Sequence, residues 1–265
     1  MHAAEREQLI LQLMQDRGFI GFKELDRRIE ASPATLRRDL DRLETEGRII
    51  RVRGGARLPS AQGEPDRLSG DPFHENIGRQ PAQKAAIGRA AAALCSPGEA
   101  VIIDGGSTTL QMCPHLAPLG LQVLTNSLHI VSALLPQTGT RITIPGGQVF
   151  REQNIVLSAF DEDGAGRFHA ARMFMGAQAV SRHGVMQSDV LLVQSERRLL
   201  GRANEIVLMV DSSKFSASAG HVLCPLEQVA ILITDDGLAD ADAQDVERAG
   251  ARLIVAPVET RPARR

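Results

Sequence analysis

Apolar residues recur along the chain at two different periods, and the change between them divides it. In residues 5–17, Leu9, Ile10, Leu13 and Met14 repeat at helical spacing, and Gly18 is a natural stop. Phe22, Leu25 and Ile29 mark a second short helix. Leu36, Leu40 and Leu43 then fall at i, i+4 and i+7, one buried stripe. Ser32 precedes that stripe as an N-cap, Pro33 suits the first helical position, and Gly47 ends the helix. From 48 to 57 arginine alternates with apolar residues and no acid intervenes, a pattern that predicts a β-hairpin turning at Gly54-Gly55.

Beyond this the pattern changes. Residues 58–70 are rich in Pro, Ser, Gly and Gln and poor in apolar side chains, so they are expected to form a linker between a first domain (1–57) and a second (71–257), with a tail at 258–265. His74 and Glu75 open the second domain and are expected to pack as a connector on it. An alanine-rich helix is predicted over 84–94. Apolar strands are predicted at 100–103, 122–125, 141–144, 172–175, 206–211, 229–234 and 252–255, with helices at 127–135, 190–203 and 239–249. Strand–helix alternation of this kind implies an α/β domain with a mainly parallel sheet covered on both faces. Ligands of such sheets gather at the C-terminal strand ends.

Composition narrows the function. The chain has 265 residues, an apolar fraction of 43% and a formal net charge of -2, so total charge does not announce a nucleic-acid partner but leaves room for a local basic face. Cys95, Cys113 and Cys224 are widely spaced, with no histidine at metal-ligand spacing, so free thiols are expected and no metal or cofactor. The start reads as no signal peptide, and no apolar run is long enough for a bilayer, which points to the cytoplasm. Trp and Tyr are absent, which argues against a single-strand stacking platform.

Two chemistries remain. Two short helices, the second capped by Ser-Pro and rich in arginine, match a helix-turn-helix, and the acid-free hairpin after them matches the wing of a winged helix. Ser32, Thr35, Arg37, Arg38 and Arg42 on the second helix, with Arg51 and Arg53 on the hairpin, are the candidate contacts to double-stranded DNA. In the second domain the strand at 100–103 runs into Asp104-Gly105-Gly106-Ser107-Thr108-Thr109, and Leu110 to Met112 begin a helix-like stretch that Pro114 should kink or shorten. Strand, glycine turn, helix presents free N–H groups and hydroxyls to a phosphate. Thr125-Asn126-Ser127, Gly146-Gly147 and Asp211 with Lys214 stand at other strand ends. Together they suggest one polyhydroxylated, anionic ligand, with Lys214 meeting the anion and Asp104, Asn126 and Asp211 meeting hydroxyls. The bland alternative at each end is helix capping, which Ser, Asn and Asp do routinely.

These residues carry a resemblance. Ser32-Pro33-Ala34-Thr35-Leu36-Arg37-Arg38-Asp39-Leu40, with Leu43, Gly47 and Arg53-Gly54-Gly55-Ala56, is similar to the DNA-binding region of the DeoR family of bacterial transcription regulators. The resemblance carries over Thr35, Arg37 and Arg38 as DNA contacts, and Asp39 is expected to orient a neighbouring arginine. Asp104 to Thr109, Thr125 to Ser127, Gly146-Gly147, Asp211-Ser212-Ser213-Lys214-Phe215 and Leu232 to Asp235 resemble that family's effector domain, whose fold is like ribose-5-phosphate isomerase and which binds phosphorylated sugars. The resemblance implies a homo-oligomeric repressor of a sugar-catabolism operon, released by a phosphorylated sugar or sugar acid. One departure stands out. Where many members carry Lys in an E-A-x-V-K pattern, this chain has Glu196, and Gln187-Ser188-Asp189 with Ser195-Glu196 look more like the family's L-ascorbate-utilisation regulators. An isomerase-like enzyme with an attached DNA-binding domain is the alternative from another class. Candidate acids Asp104, Asp189 and Asp211 exist, but no two form an acid–base pair by spacing. Activator and repressor are not separated by sequence.

Overall fold

A computed structural model describes residues 3–15, 19–29, 31–52, 55–57, 73–157 and 166–258. They fall into two units. Arg53, Gly54 of the expected turn, the linker and nearly all of the tail lie outside the described residues.

The first unit runs α1 (Ala3–Gln15), β1 (Phe19–Gly21), α2 (Phe22–Arg28), α3 (Pro33–Thr45), β2 (Ile50–Val52) and β3 (Gly55–Arg57). Ser32 caps α3 by accepting the Thr35 N–H at 3.2 Å, and Pro33 opens the helix. At the other end Gly47 adopts φ +69°, its N–H donates to Glu44 O, and Arg48 N–H donates to Leu43 O. That pair of bonds is a Schellman stop, which glycine makes without strain. Leu36, Leu40 and Leu43 of α3 join Ile10, Met14, Leu25 and Ile49 in one core. β2 and β3 form the expected hairpin, and β1 adds a third strand, giving the antiparallel order β1-β3-β2. The sequence pattern did not show β1, because three residues between two helices carry no readable period.

The second unit runs α4 (Phe73–Asn76), α5 (Pro81–Ala92), β4 (Ala100–Ile103), β5 (Gln122–Leu124), α6 (Leu128–Leu134), β6 (Arg141–Thr143), β7 (Gln148–Phe150) and β8 (Ile155–Leu157). It continues with β9 (Ala170–Met175), β10 (Ala179–Ser181), β11 (Gly184–Gln187), α7 (Val190–Leu200), β12 (Ala203–Met209), β13 (His221–Cys224), β14 (Ile231–Asp235), α8 (Asp240–Arg248) and β15 (Arg252–Ala256). Seven strands pair in parallel in the order β15-β14-β12-β9-β4-β5-β6. The chain steps outward from β4 to β6, then returns to the other side of β4 and steps outward again from β9. The direction of winding therefore reverses between β4 and β9, and a crevice opens there at the strand C-termini.

Alternation along the strands sorts the core onto two faces. Val101 and Ile103 of β4 pack with α5 and α6 residues, while Ile102 packs on the opposite side with Val193 of α7 and Val246 of α8. Gly88 lets α5 approach closely, since a Cβ there would stand 2.5 Å from the Gln111 backbone.

Three departures from the sequence expectations have local causes. The stretch after the glycine loop is a 3₁₀ helix, Thr109–His115, followed by another at Ala117–Leu119, in place of an α-helix. Pro114 sits inside the first, and a residue without an N–H cannot continue an α-helical ladder. α7 stops at Leu200, and Ala203 already belongs to β12. β7 pairs with β8, and β10, β11 and β13 form a small antiparallel sheet, none of which the periodicity announced. Among the described residues no helix is long and apolar enough to cross a membrane. Cys95, Cys113 and Cys224 are free thiols, and burial pushes Cys113 up to about 12 and Cys224 to about 11.

Candidate functional site

On α3 the buried leucines fix which residues face outward. Pro33, Ala34, Arg37, Arg38, Asp41 and Arg42 are exposed, and Thr35 is half-buried. Arg38 has no partner among the described residues. Arg37 lies over the Phe22 ring, 5.2 Å from its centre, which pre-orients the guanidinium. The other expected contacts are differently engaged. The Ser32 hydroxyl is used in the cap and bonds the Thr35 hydroxyl at 2.8 Å. Arg42 pairs with Glu7 and approaches Asp39. Arg51 pairs with Asp41, and its N–H donates to Glu44. Asp39 is buried and takes two hydrogen bonds from Arg6 of α1, at 2.7 and 3.1 Å. It therefore ties α1 to α3 through a distant arginine, with Arg42 the nearest of its own helix.

In the second unit a cavity of about 70 Å³ opens at the β4/β9 reversal. Asp104, Gly105, Gly106, Ser107 and Thr108 form one wall after β4, and Gly176, Ala177 and Gln178 form another after β9. Asn76 of α4, Gln187 of β11, Glu196 of α7 and Lys214 complete its polar lining with Gln153 and Ser188, and the ring of Phe73 of α4 also borders it.

The loop after β4 is held from beneath. The Asn126 side-chain amide donates to Asp104 Oδ1 at 2.8 Å and accepts the Gly105 N–H at 2.8 Å. Thr109, fully buried, donates its hydroxyl to Asp104 O at 2.7 Å. At Gly105 a Cβ would stand 2.5 Å from Ile155 Cγ2 and 3.2 Å from Asn126 Oδ1, so the tight clamp requires glycine. The next three N–H groups, of Gly106, Ser107 and Thr108, reach no acceptor among the described residues. Consecutive unpaired N–H groups beside a cavity form an anion cradle.

The remaining expected ligand residues are placed around this loop and outside the cavity wall. Thr125 accepts the Ser127 N–H, and Ser127 caps α6 by accepting from Ile130 N–H at 3.3 Å. Asp211 caps the 3₁₀ turn Ser212–Phe215, which carries Lys214. Gly146 and Gly147 are exposed on the connection between β6 and β7.

Several residues of the cavity escaped the sequence reading. Glu196 was visible only as a missing lysine. In the structure its carboxyl meets that of Asp104, both almost fully buried, and Gln187 Nε2 donates to both Glu196 oxygens at 2.9 and 3.0 Å. An acid pair that spacing did not reveal is thus assembled by the fold. Burial pushes Asp104 up to about 6 and Glu196 well above the carboxylate range, with the facing Asp104 charge adding to the latter. Lys84, 1% exposed, donates to Asn76 O and to Asn76 Oδ1 at 3.2 Å, and burial lowers it to about 8. The strand-end rule would have found Gly176 to Gln178, which directly follow β9.

Comparison with known proteins adds to this geometry. Residues 79–236 match the model of the DeoR C-terminal sensor domain, and residues 6–62 match the DeoR-like helix-turn-helix domain. The chain is 29% identical over 254 residues to the HTH-type transcriptional regulator UlaR of Shigella dysenteriae serotype 1, covering 96% of this chain and 99% of the relative. The same figures hold for UlaR of Escherichia coli strain K12. Among solved structures, ribose 5-phosphate isomerase A of Methanocaldococcus jannaschii is similar with a TM-score of 0.38 and 16% identity, over 50% of this chain and 53% of that one. The Pyrococcus horikoshii translation initiation factor eIF-2B has a TM-score of 0.38 and 14% identity, over 81% of this chain and 67% of that one.

Proposed function

Because the chain belongs to the DeoR family of DNA-binding transcriptional regulators, we propose that it represses a carbohydrate-catabolism operon and leaves its operator when a phosphorylated sugar or sugar acid binds the second unit. The observation that carries the effector half is the run of unpaired N–H groups from Gly106 to Thr108, with Lys214 on the same cavity. Phosphate accepts from all of them, and Lys214 supplies the opposing charge. Asp104 and Asn126 then act mainly by holding the loop, while Asp211 holds the turn that carries Lys214.

On DNA, α3 enters the major groove N-terminus first. Thr35, Arg37 and Arg38 make the contacts to base edges and phosphate, and Arg42 and Arg51 join only by leaving Glu7 and Asp41. Paired copies of the chain place two such helices on successive half-sites. The effector releases DNA because it binds one conformation better than the other, and the shift cannot exceed that difference in affinity. The protein acts in the cytoplasm, where operator and sugar phosphate are both present. The UlaR relatives and the Gln187-Ser188-Asp189 resemblance put an ascorbate-like sugar-acid phosphate among the first compounds to try.

Arg38→Ala tests the DNA half. Fluorescence anisotropy against an operator fragment, selected from genomic DNA flanking the gene, is expected to show at least tenfold weaker binding at matched salt. Affinity equal to the parent's would overturn the placement of α3.

The adjacent carboxyls favour one second reading, an isomerase. Both are engaged, Asp104 by Asn126 and Glu196 by Gln187, so neither stands free as a base. No interconversion is expected when the protein is incubated with D-ribose 5-phosphate and followed by NMR. Turnover above the buffer rate would favour the enzyme.

A further inference from the structure

The loop N–H groups and Lys214 account for an anion, but they leave two acidic side chains of the cavity lining without a contact to the ligand. Asp104 exposes 2% of its surface and Glu196 3%, yet both border the cavity and their carboxyls face each other. Two ionised carboxylates in contact away from water repel strongly, and the repulsion is relieved when one proton is kept between them. The groups facing the pair fit a single retained proton. Gln187 on β11 donates to Glu196, Asn126 at the end of β5 donates to Asp104, and both amides are neutral. Cys224 on β13 lies near Glu196 with its thiol held protonated. Arg197 is turned away to the carbonyls of Leu223 and Val222. Among the described lining residues Lys214 is the cation of this cavity.

We propose that Asp104 and Glu196 share one proton and form the half of the site that reads the hydroxyls of the effector's carbon chain, which makes Glu196 a specificity-determining residue. This rests on the reading of the cavity as an effector site. With its proton held between the two groups, a carboxyl–carboxylate pair offers its remaining lone pairs as acceptors to a polyhydroxylated chain, whereas the cradle takes only the phosphate. Selectivity among sugar phosphates then resides at Glu196, and affinity for inorganic phosphate does not. Loss of the shared proton leaves two negative charges beside an anionic ligand, so effector affinity falls as pH rises.

Isothermal titration of the full-length protein tests this, with inorganic phosphate, D-ribose 5-phosphate, D-fructose 6-phosphate and L-ascorbate 6-phosphate as probes. Glu196→Ala is expected to weaken the tightest of the sugar phosphates at least tenfold and to change inorganic phosphate less than threefold. Glu196→Gln keeps an N–H toward Asp104 and cannot ionise. It is expected to bind that sugar phosphate within threefold of the parent at pH 6.5 and to lose the parent's fall in affinity toward pH 8.5. Comparing the two proteins at each pH removes the ligand's own ionisation. Thermal melting confirms that both variants fold. Equal effects of Glu196→Ala on phosphate and sugar phosphate, or a Glu196→Gln profile that follows the parent's, would overturn the proposal. Lys214→Ala separates this from the underlying reading. If it weakens inorganic phosphate, the effector site stands and Glu196 alone is judged. If the parent binds none of the four probes, the effector reading fails and takes the proposal with it.

Discussion

Asp104 directly follows β4 with its backbone N–H still bonded to Phe174 O, and its side chain is buried. That position makes its protonation a property of the fold. Burial raises it to about 6, against the opposing pull of Asn126 and the Gly105 N–H. A folded-state value above the unfolded one means that the folded chain holds more protons between about pH 4 and 6. The stabilisation tied to this proton is present at about pH 4 and is lost as pH rises through 6. Asp104→Asn is therefore expected to flatten the fall in melting temperature between pH 4 and 7, measured by calorimetry; an unchanged slope contradicts the buried pair. Single residues also mark the limit of reading a sequence. Asp104 and Lys214 were legible because strand ends and lysines advertise themselves. Asn126, expected to meet a ligand hydroxyl, lies beneath the loop and clamps Asp104 and Gly105, since an amide donates and accepts equally well. Glu196 showed only as a missing lysine, and its pairing gave no signal, because its partner Asp104 lies on another element far away in the chain.

Whole elements were more legible than their contacts. α3 combined a cap, a proline and a leucine stripe, three independent signals that agree. Its core role has a measurable consequence: Leu40, fully buried among Ile10, Leu25 and Ile49, is expected to cost about 3 kcal/mol on substitution by alanine. Urea unfolding reads this, and a loss under about 1 kcal/mol would place Leu40 outside the core. The parallel strands were legible for a similar reason, as apolar runs bounded by turns. The three- and four-residue strands β7, β8, β10, β11 and β13 were not, because so few residues cannot express a period of two. The glycine loop was legible as a turn, but the helix type after it was not. The 3₁₀ helix presents fewer aligned peptide dipoles than an α-helix, so the proposed anion site depends more on unpaired N–H groups and Lys214.

At the scale of the molecule, two units with different tasks are joined through residues 58–72. α4 is the first described element after that stretch, and its Phe73 and Asn76 border the cavity. Phe73 stacks on His129 at 4.0 Å between ring centres, and Asn76 is gripped by the buried Lys84. The cavity thus borders the part of the second unit nearest in sequence to the helix-turn-helix unit. The order of strands could not be read from the chain, yet it is what brings the ends of β4 and β9 together and creates the cavity. The proposed phosphate-dependent sugar site is tested by a thermal-shift screen of the purified protein against phosphorylated sugars, sugar-acid phosphates and their unphosphorylated parents, since a ligand of the folded state raises the melting temperature. One phosphorylated compound is expected to raise it, its unphosphorylated parent to leave it unchanged, and Lys214→Ala to abolish the shift. A rise produced only by unphosphorylated sugars, or one that survives Lys214→Ala in full, would contradict it.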